Sequence, residues 1–275
     1  MQYRVVDWTW AYDNAANIPK SEAWPNAWVE PARVARDALV ADDRARLELA
    51  YGSDLRQRFD LFYPKGNPTG LVVLVHGGFW MALDKSFWSH LAGGPLAHGY
   101  AVAIPSYPLA PDVRISDITK SIGQAIGAAA DIVPGPIRLI GHSAGGHLVT
   151  RMISLTTPLP GELQNRIAGA VSVSGLHDLR PLMNIARNAT LKIDMREAKS
   201  ESPALLEPLP GSRLICWAGA RETSEFLRQN ALLGNIWRGL GIETDVVEEP
   251  DRHHFNVLDG LAEPDHALTR ALFSM

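Results

Sequence analysis

Residues 137–148, IRLIGHSAGGHL, place an apolar run, a tight turn and the start of a helix-length segment next to one another. The turn contains Gly141-His142-Ser143-Ala144-Gly145, a G-x-S-x-G pattern. Between a strand and a helix, this pattern is typical of a sharp bend that lifts a serine hydroxyl above a sheet. Glycines suit such a bend because a Cβ at either position would meet neighbouring backbone. We therefore predict that Ser143 is a nucleophile at the end of a buried strand.

Apolar runs and helix-length segments alternate along the rest of the chain. The predicted strands cover residues 56–63, 71–75, 101–104, 137–140, 169–173, 213–217 and 244–248, and the predicted helices cover 86–98, 115–132, 144–155, 223–239 and 262–273. This alternation indicates an α/β fold with a mostly parallel, doubly wound sheet and helices on both faces. Since no linker is evident, we predict a single domain over residues 1–275. Residues 1–50 are expected to form a helical lid segment and residues 174–210 an irregular cap insertion.

The composition excludes several classes of protein. The chain has 275 residues, of which 46% are hydrophobic and 20% charged, so it can bury a sizeable core. A formal net charge of −4 gives no indication of a positive surface that would attract nucleic acid or an anionic membrane. No stretch approaches the roughly 20 apolar residues of a membrane span, and the single cysteine, Cys216, forms no internal disulfide. We predict a cytoplasmic protein with no nucleic-acid or membrane partner; a homodimer is compatible with the sequence.

A serine nucleophile needs a base, and in doubly wound hydrolases the base follows the serine and an acid along the chain. His253 and His254 follow the last predicted strand, after a Pro-Asp turn. We predict that His254 is the base, with His253 as the alternative. The pair could also suggest a metal, but the sequence has neither an H-E-x-x-H motif nor a cysteine cluster. We therefore predict no metal site.

The acid should follow the strand before the histidine. Glu222 is the first carboxylate after the predicted strand at 213–217. Glu225 lies three residues further into a predicted helix, and Asp251 lies beside the histidine pair. We predict Glu222 as the acid and keep Glu225 and Asp251 as alternatives.

The sequence HGGFW at residues 76–80 follows another buried strand. Attack on a carbonyl creates an oxyanion, which hydrolases of this kind stabilise with backbone N–H groups from such a loop and from the residue after the nucleophile. We predict Gly78, Phe79 and Ala144 as donors, with Gly77 as a further candidate. Glycines allow the backbone to approach the oxyanion closely.

Several motifs together resemble a known group of enzymes. They are HGGFW at 76–80, YPLAP at 107–111 and GHSAGGH at 141–147, with further echoes at 60–64 (DLFYP) and 174–181 (SGLHDLRP). From about residue 50 onward, the chain resembles the α/β-hydrolase type of kynurenine formamidase (arylformamidase). It is also similar to esterases of the hormone-sensitive-lipase-like branch.

The resemblance implies an α/β-hydrolase fold and hydrolysis of N-formyl-L-kynurenine to kynurenine and formate, without a cofactor. It assigns the nucleophile to Ser143, the base to His254 and the oxyanion hole to the HGG loop with Ala144. The family's acid, usually an aspartate, falls on Glu222, so the longer side chain requires a different loop path.

An aryl formamide has an aromatic leaving group, so we expect aromatic side chains to contact it. Phe79, Trp80 and Tyr12 are the predicted contacts, with Trp24 and Trp28 as further candidates. The alternative function is a carboxylesterase or thioesterase acting on small acyl substrates, which would use the same catalytic groups and differ in pocket shape. A non-catalytic binding module is disfavoured because the serine, the histidine and the HGG loop are all present.

Overall fold

The computed structural model describes residues 4–275, and a sheet of eight strands runs through this part of the chain. The strands are β1 (Ala45–Ala50), β2 (Arg58–Phe62), β3 (Leu71–Val75), β4 (Ala101–Pro105), β5 (Ile137–His142), β6 (Ile167–Val173), β7 (Arg213–Gly219) and β8 (Glu243–Glu249). Their order across the sheet is β1-β2-β4-β3-β5-β6-β7-β8. The strands from β4 onward in this order are parallel, while β1 and β2 are antiparallel at one edge. The predicted mostly parallel sheet is confirmed.

Helices connect the strands. Within residues 4–275 the α-helices are α1 (Trp8–Ala11), α2 (Asn14–Asn17), α3 (Trp24–Ala41), α4 (Gly93–Ala97), α5 (Ile115–Ile132), α6 (Ala144–Met152), α7 (Gly161–Gln164), α8 (Asn188–Leu191), α9 (Met195–Ser200), α10 (Ser224–Gly239) and α11 (Ala267–Phe273). Short 3-10 helices lie at Ser21–Ala23, Lys85–Phe87, Ser89–Ala92, Pro181–Asn184, Pro203–Leu205 and Asp259–Ala262. The predicted helix at 115–132 has the predicted bounds.

Each face of the sheet carries its own apolar core. Along β3, Leu71, Val73 and Val75 belong to one core, while Val72 and Leu74 belong to the other. This follows from the two-residue period of a strand. Helices α5, α6 and α10 cover the first core, and α3, α4 and α11 cover the second. Because both faces are covered, the central parallel strands are continuous apolar runs, as the sequence indicated.

Two sequence predictions need correction. Residues 45–50 form the edge strand β1 rather than part of a helical segment at 1–50. Their sequence, ARLELA, is rich in helix formers, and pairing with β2 overrides that preference. The helix predicted at 86–98 is broken into two 3-10 turns and α4. Gly93, Gly94 and Pro95 lie in this segment, and these residue types disfavour a long continuous helix.

The loops after β3, β5, β6, β7 and β8 all lie at the carboxyl edge of the parallel strands. Ligands of open α/β sheets bind at this edge. The predicted oxyanion loop, Ser143, Glu222 and His254 all follow these strands, so the fold brings distant parts of the chain to one place. Residues 174–210 follow β6 and contain only short helices. Among the described residues, no helix combines the length and apolarity needed to cross a bilayer.

Candidate active site

Ser143 occupies a strained turn between β5 and α6. Its φ is 55° and its ψ is −115°, a conformation that costs an L-residue roughly 1–3 kcal/mol. A Cβ on Gly141 would lie 2.2 Å from the carbonyl oxygen of Gly145, and one on Gly145 would lie 2.0 Å from that of Val75. The predicted steric need for both glycines is therefore confirmed. The turn is fixed by the Ser143 amide, which donates to the carbonyl of Val173 at 2.8 Å.

His254 and Glu222 form a buried pair beside the serine turn. Nδ1 of His254 lies 2.7 Å from Oε2 of Glu222, and the side chains are 5% and 0% exposed. Oε1 of Glu222 accepts hydrogen bonds from the Ser174 hydroxyl at 2.5 Å and from the Gly219 amide at 2.8 Å. Because a carboxylate only accepts, the hydrogen bond selects the tautomer of the neutral imidazole that has its proton on Nδ1 and a free lone pair on Nε2.

The alternative acids lie elsewhere. Glu225 is buried and accepts from the Tyr12 hydroxyl at 2.9 Å and from Arg228 at 2.8 Å. Asp251 is exposed and accepts from Arg221 at 2.5 Å. Within the described residues, neither carboxylate is hydrogen-bonded to His254. Glu222 is thus the predicted acid that the fold pairs with this imidazole.

His253 is also occupied differently from His254. Its Nδ1 accepts a hydrogen bond from the Phe255 amide at 3.2 Å, and its ring stands edge-on to Trp24 at 5.2 Å. The ring of His253 therefore helps to hold the loop that carries His254. In the described part of the chain, no carboxylate is hydrogen-bonded to His253.

The predicted oxyanion loop lies against the serine. A Cβ on Gly77 would lie 3.1 Å from the Cβ of Ser143. Gly78 has φ 109°, and its carbonyl accepts from the Ala82 amide at 3.0 Å, closing a tight turn. A Cβ on Gly78 would lie 2.2 Å from the Ala82 carbonyl oxygen, so glycine is required there. Phe79 continues the turn with φ 54°.

Four backbone donors at this loop and turn have no partner in residues 4–275. The amides of Gly77, Gly78, Phe79 and Ala144 make no hydrogen bond to another described residue. Ala144 is the first residue of α6, where free N–H groups and the helix dipole favour negative charge. These amides are available to an anion that forms next to Ser143.

His76 and Tyr107 hold the oxyanion loop in place through hydrogen bonds and ring stacking. Nδ1 of His76 lies 2.7 Å from the Gly77 carbonyl, and its ring stacks on Tyr107 at 4.3 Å. The Tyr107 hydroxyl donates to the His76 carbonyl at 2.9 Å. Burial lowers the pKa of His76 to about 4, so the ring is neutral at pH 7 and donates from Nδ1 to the carbonyl.

His142 supports the loop that carries the predicted base. Its Nε2 lies 2.9 Å from the carbonyl oxygen of His254, and the two rings are 4.6 Å apart. Burial, reinforced by His254, holds the pKa of His142 well below its ordinary value. The neutral ring donates from Nε2, and it therefore fixes the backbone of His254.

Ser143, His142 and His254 open into a cavity of about 580 Å³, a size typical of small-molecule sites. The walls include the oxyanion loop and large apolar side chains, namely Gly78, Phe79, Met81, Leu83, Trp28, Trp88 and Phe255. Polar side chains from the N-terminal segment and the 174–210 segment also line it, namely Asp13, Asn14, Ser21, Glu22 and Arg187. Among residues 4–275, no cluster of three or more His, Cys, Asp or Glu side chains is arranged to hold a metal ion.

Two predicted substrate contacts lie away from this cavity, which corrects the sequence interpretation. Trp80 is fully buried, and its ring meets His147 edge-on at 5.2 Å. Tyr12 is also fully buried and is bonded to Glu225. Phe79 and the candidate Trp28 do line the cavity. The aromatic residues indicated segments that lie near the cavity, but they did not indicate which side chains point into it.

Sequence reasoning missed three other residues of the site. Ser174 begins the motif at 174–181, but its contact with Glu222 could not be predicted because it depends on the position of Glu222 across the sheet. Asn14 and Arg187 belong to segments without a regular pattern. Only the folded chain shows that they share a cavity with Ser143.

Comparisons with known proteins agree with this architecture. Residues 72–269 match the profile of the Alpha/beta hydrolase family. The kynurenine formamidase of Salmo salar is 29% identical over 245 residues, which cover 83% of this chain and 81% of that protein. The kynurenine formamidase of Drosophila melanogaster is 25% identical over 238 residues, covering 82% and 79%.

A solved structure from a Silicibacter species, described as a thioesterase, is 45% identical with a TM-score of 0.90 and covers 96% of this chain and 97% of its own. Esterase B from Lactobacillus rhamnosis, at 18% identity, 92% and 96% coverage and a TM-score of 0.66, shares the fold. The resemblance to formamidases and esterases that the sequence motifs indicated is confirmed. The chain is a hydrolase and belongs to the alpha/beta hydrolase family.

Proposed function

We propose that this hydrolase cleaves N-formyl-L-kynurenine to L-kynurenine and formate, with Ser143, His254 and Glu222 as its catalytic triad. The observation that carries the proposal is that Ser143 and His254 open into a cavity walled by Trp28, Trp88 and Phe255. Aromatic walls suit an aryl formamide, whose leaving group is a flat ring. The formamidases of Salmo salar and Drosophila melanogaster, similar over most of this chain, support the same substrate.

The first step is acylation of the serine. Ser143 Oγ attacks the formyl carbon while Nε2 of His254 accepts the hydroxyl proton. Glu222 stabilises the resulting imidazolium through Nδ1–H. The free amides of Phe79 and Ala144 bind the oxyanion, with Gly78 as a further donor, and each such donor typically contributes about 3–4 kcal/mol.

The second step releases formate. When the C–N bond of the tetrahedral intermediate breaks, His254 donates its proton to the departing aryl amine, and Ser143 retains the formyl group as an ester. A water molecule then gives its proton to His254 and attacks the formyl carbon. The C–O bond to Ser143 breaks, the serine oxygen regains the proton from His254, and formate leaves.

Hydrolysis of a small ester or thioester is the second candidate, because the 45% identical Silicibacter protein is described as a thioesterase. The charges of the cavity disfavour a coenzyme A thioester. Asp13, Glu22 and Arg187 are its charged lining residues in the described chain, and together they carry a net negative charge. A coenzyme A group carries several phosphate charges and would be repelled by such a lining.

The test compares kcat/KM for N-formyl-L-kynurenine, p-nitrophenyl acetate and acetyl-coenzyme A, with S143A as the background control. We expect the formamide to be hydrolysed with the highest kcat/KM. If p-nitrophenyl acetate or acetyl-coenzyme A is cleaved far better, the formamidase proposal is wrong and the second candidate replaces it.

A further inference from the structure

We propose that Arg187, Asp13 and Asn14 form a subsite for the α-amino-acid group of the substrate. In this subsite Arg187 binds the α-carboxylate, while Asp13 and Asn14 bind the α-ammonium. The inference rests on the proposed function, since the aryl formamide carries this zwitterionic group at the end opposite the scissile bond. The subsite predicts which substrates the cavity binds, whereas the proposed function concerns only the reaction at Ser143.

Arg187 is the cation of the cavity wall. Its guanidinium carbon lies 5.0 Å from the centre of the Phe79 ring, so it stands next to the oxyanion loop. Within residues 4–275 its guanidinium makes a single hydrogen bond, at 3.4 Å to Oδ1 of Asp13, and 35% of its side chain is exposed. A guanidinium has five N–H donors in a planar fork that matches a carboxylate, so most of this fork remains available to a ligand.

Asp13 has acceptor capacity of its own beside Arg187. Its Oδ1 accepts from Arg187 and from the Ala16 amide at 3.3 Å, where Asp13 caps the start of α2. In the described residues Oδ2 accepts no hydrogen bond. The carboxylate is thus held in place by one oxygen, while the other can accept from an ammonium group.

Asn14 gives an independent indication of a ligand. The residue is 7% exposed and lines the cavity, yet its side-chain amide makes no hydrogen bond within residues 4–275. Its amide oxygen and nitrogen remain accessible from the cavity, so both can contact a ligand there. A ligand group that donates to its oxygen, such as an ammonium, would satisfy it.

The charges of the subsite match those of an amino acid. Arg187 and Asp13 place one positive and one negative group side by side at 3.4 Å. A zwitterion presents the same two charges at a similar spacing, so each can face its opposite. A simple ester carries neither charge and would gain nothing from the subsite.

The experiment compares R187M with the wild type on two formamides. One is N-formyl-L-kynurenine, and the other is 2′-formamidoacetophenone, which has the same aryl formamide but no amino-acid group. Because R187M removes a charge-assisted contact, KM for formylkynurenine should rise about 10- to 100-fold while kcat stays within about threefold. The kcat/KM for N-formyl-L-kynurenine, divided by that for 2′-formamidoacetophenone, should therefore fall in R187M. The matched control is R196M, which changes an exposed arginine of the same segment and should keep the wild-type ratio.

A binding measurement separates this inference from the proposed function. L-kynurenine is tested as a competitive inhibitor of p-nitrophenyl acetate hydrolysis in the wild type, R187M and N14L. If the wild type fails to hydrolyse formylkynurenine but kynurenine inhibits it through Arg187, the subsite stands and the proposed function fails. If R187M leaves both the KM for formylkynurenine and the inhibition constant of kynurenine unchanged, the subsite is wrong and the proposed function is unaffected.

Discussion

The floor and the mouth of the cavity are built differently. We define the floor as Ser143, His254 and Glu222, and the mouth as Asp13, Asn14, Glu22 and Arg187. The floor residues follow the parallel strands β5, β7 and β8, and their hydrogen bonds are buried and short. The mouth stands on short helices and irregular segments, with one ion pair at 3.4 Å. The sheet therefore holds the proposed triad closely, whereas the proposed substrate subsite lies on irregular segments outside the sheet.

This difference predicts two kinds of mutational effect. A change in the floor should lower kcat for every substrate, because it acts on the reacting atoms. A change in the mouth should alter KM for the substrate that carries the matching charges. Each of the following variants tests that separation.

The largest effect is expected from S143A. Removal of the nucleophile should lower kcat/KM for both N-formyl-L-kynurenine and p-nitrophenyl acetate by about 10⁴-fold or more, while kynurenine still binds. Steady-state kinetics and a circular dichroism spectrum would check the result. A folded S143A enzyme that hydrolyses either substrate at more than a few per cent of the wild-type rate would refute Ser143 as the nucleophile.

E222Q should come next, with a fall in kcat of about 10³-fold on both substrates. The glutamine keeps the shape of the side chain but loses the charge that stabilises the imidazolium, and its amide can favour the wrong tautomer of His254. The matched control is E225Q, which removes a buried charge of the same type from the Tyr12–Arg228 cluster. If kcat falls more in E225Q than in E222Q, the assignment of the acid is wrong.

The fold was largely predictable because its signals are local. Continuous apolar runs identified central strands such as β3 and β4, alternation of apolar and polar residues identified β2, and the apolar period of helix 115–132 gave its bounds. Strand β1 was missed because ARLELA favours a helix locally, and only pairing with β2 makes it a strand. The break in the segment 86–98 was readable from its Gly-Gly-Pro sequence, which disfavours a continuous helix.

The site was predictable where a tight turn admits only particular residue types. The glycines beside Ser143 and in the HGG loop are required by close backbone contacts, so they leave a motif. Trp80 was assigned to the wrong environment because two consecutive aromatic residues can point in opposite directions. Arg187 left no signal, since its contact with Asp13 joins residues 174 positions apart through no repeating pattern.

S174A tests whether the floor depends on Ser174, to which the sequence analysis gave no catalytic role. The Ser174 hydroxyl donates to Oε1 of Glu222 at 2.5 Å, and its loss removes a hydrogen bond to a charged group. Such bonds typically contribute about 1.5–3 kcal/mol, so kcat should fall about 30-fold with KM unchanged. The matched control is S172A, which changes a buried serine that contacts His177 instead. Equal kcat values in S174A and S172A would show that Ser174 does not position the acid.

The smallest effect concerns the stability of the protein in acid. His147 lies beneath the serine turn near Arg151 and His177, and burial lowers its pKa to about 3. The unfolded chain binds a proton on this histidine below its ordinary pKa of 6.5, whereas the folded protein does not. Its contribution to stability is therefore complete above pH 6.5 and is lost as the pH falls toward 3.

H147Q removes this proton site and keeps a donor for the Glu201 carbonyl, which His147 contacts at 2.6 Å. Between pH 6.5 and 5.5, the free energy of unfolding of the wild type should fall by about 1 kcal/mol more than that of H147Q. Urea unfolding at both pH values measures this difference. The contributions of the other buried histidines cancel, because both proteins contain them. Identical falls in the two proteins would mean that His147 binds a proton in the folded state as readily as in the unfolded chain. The assignment of a neutral, hydrogen-bonded ring to His147 would then be wrong.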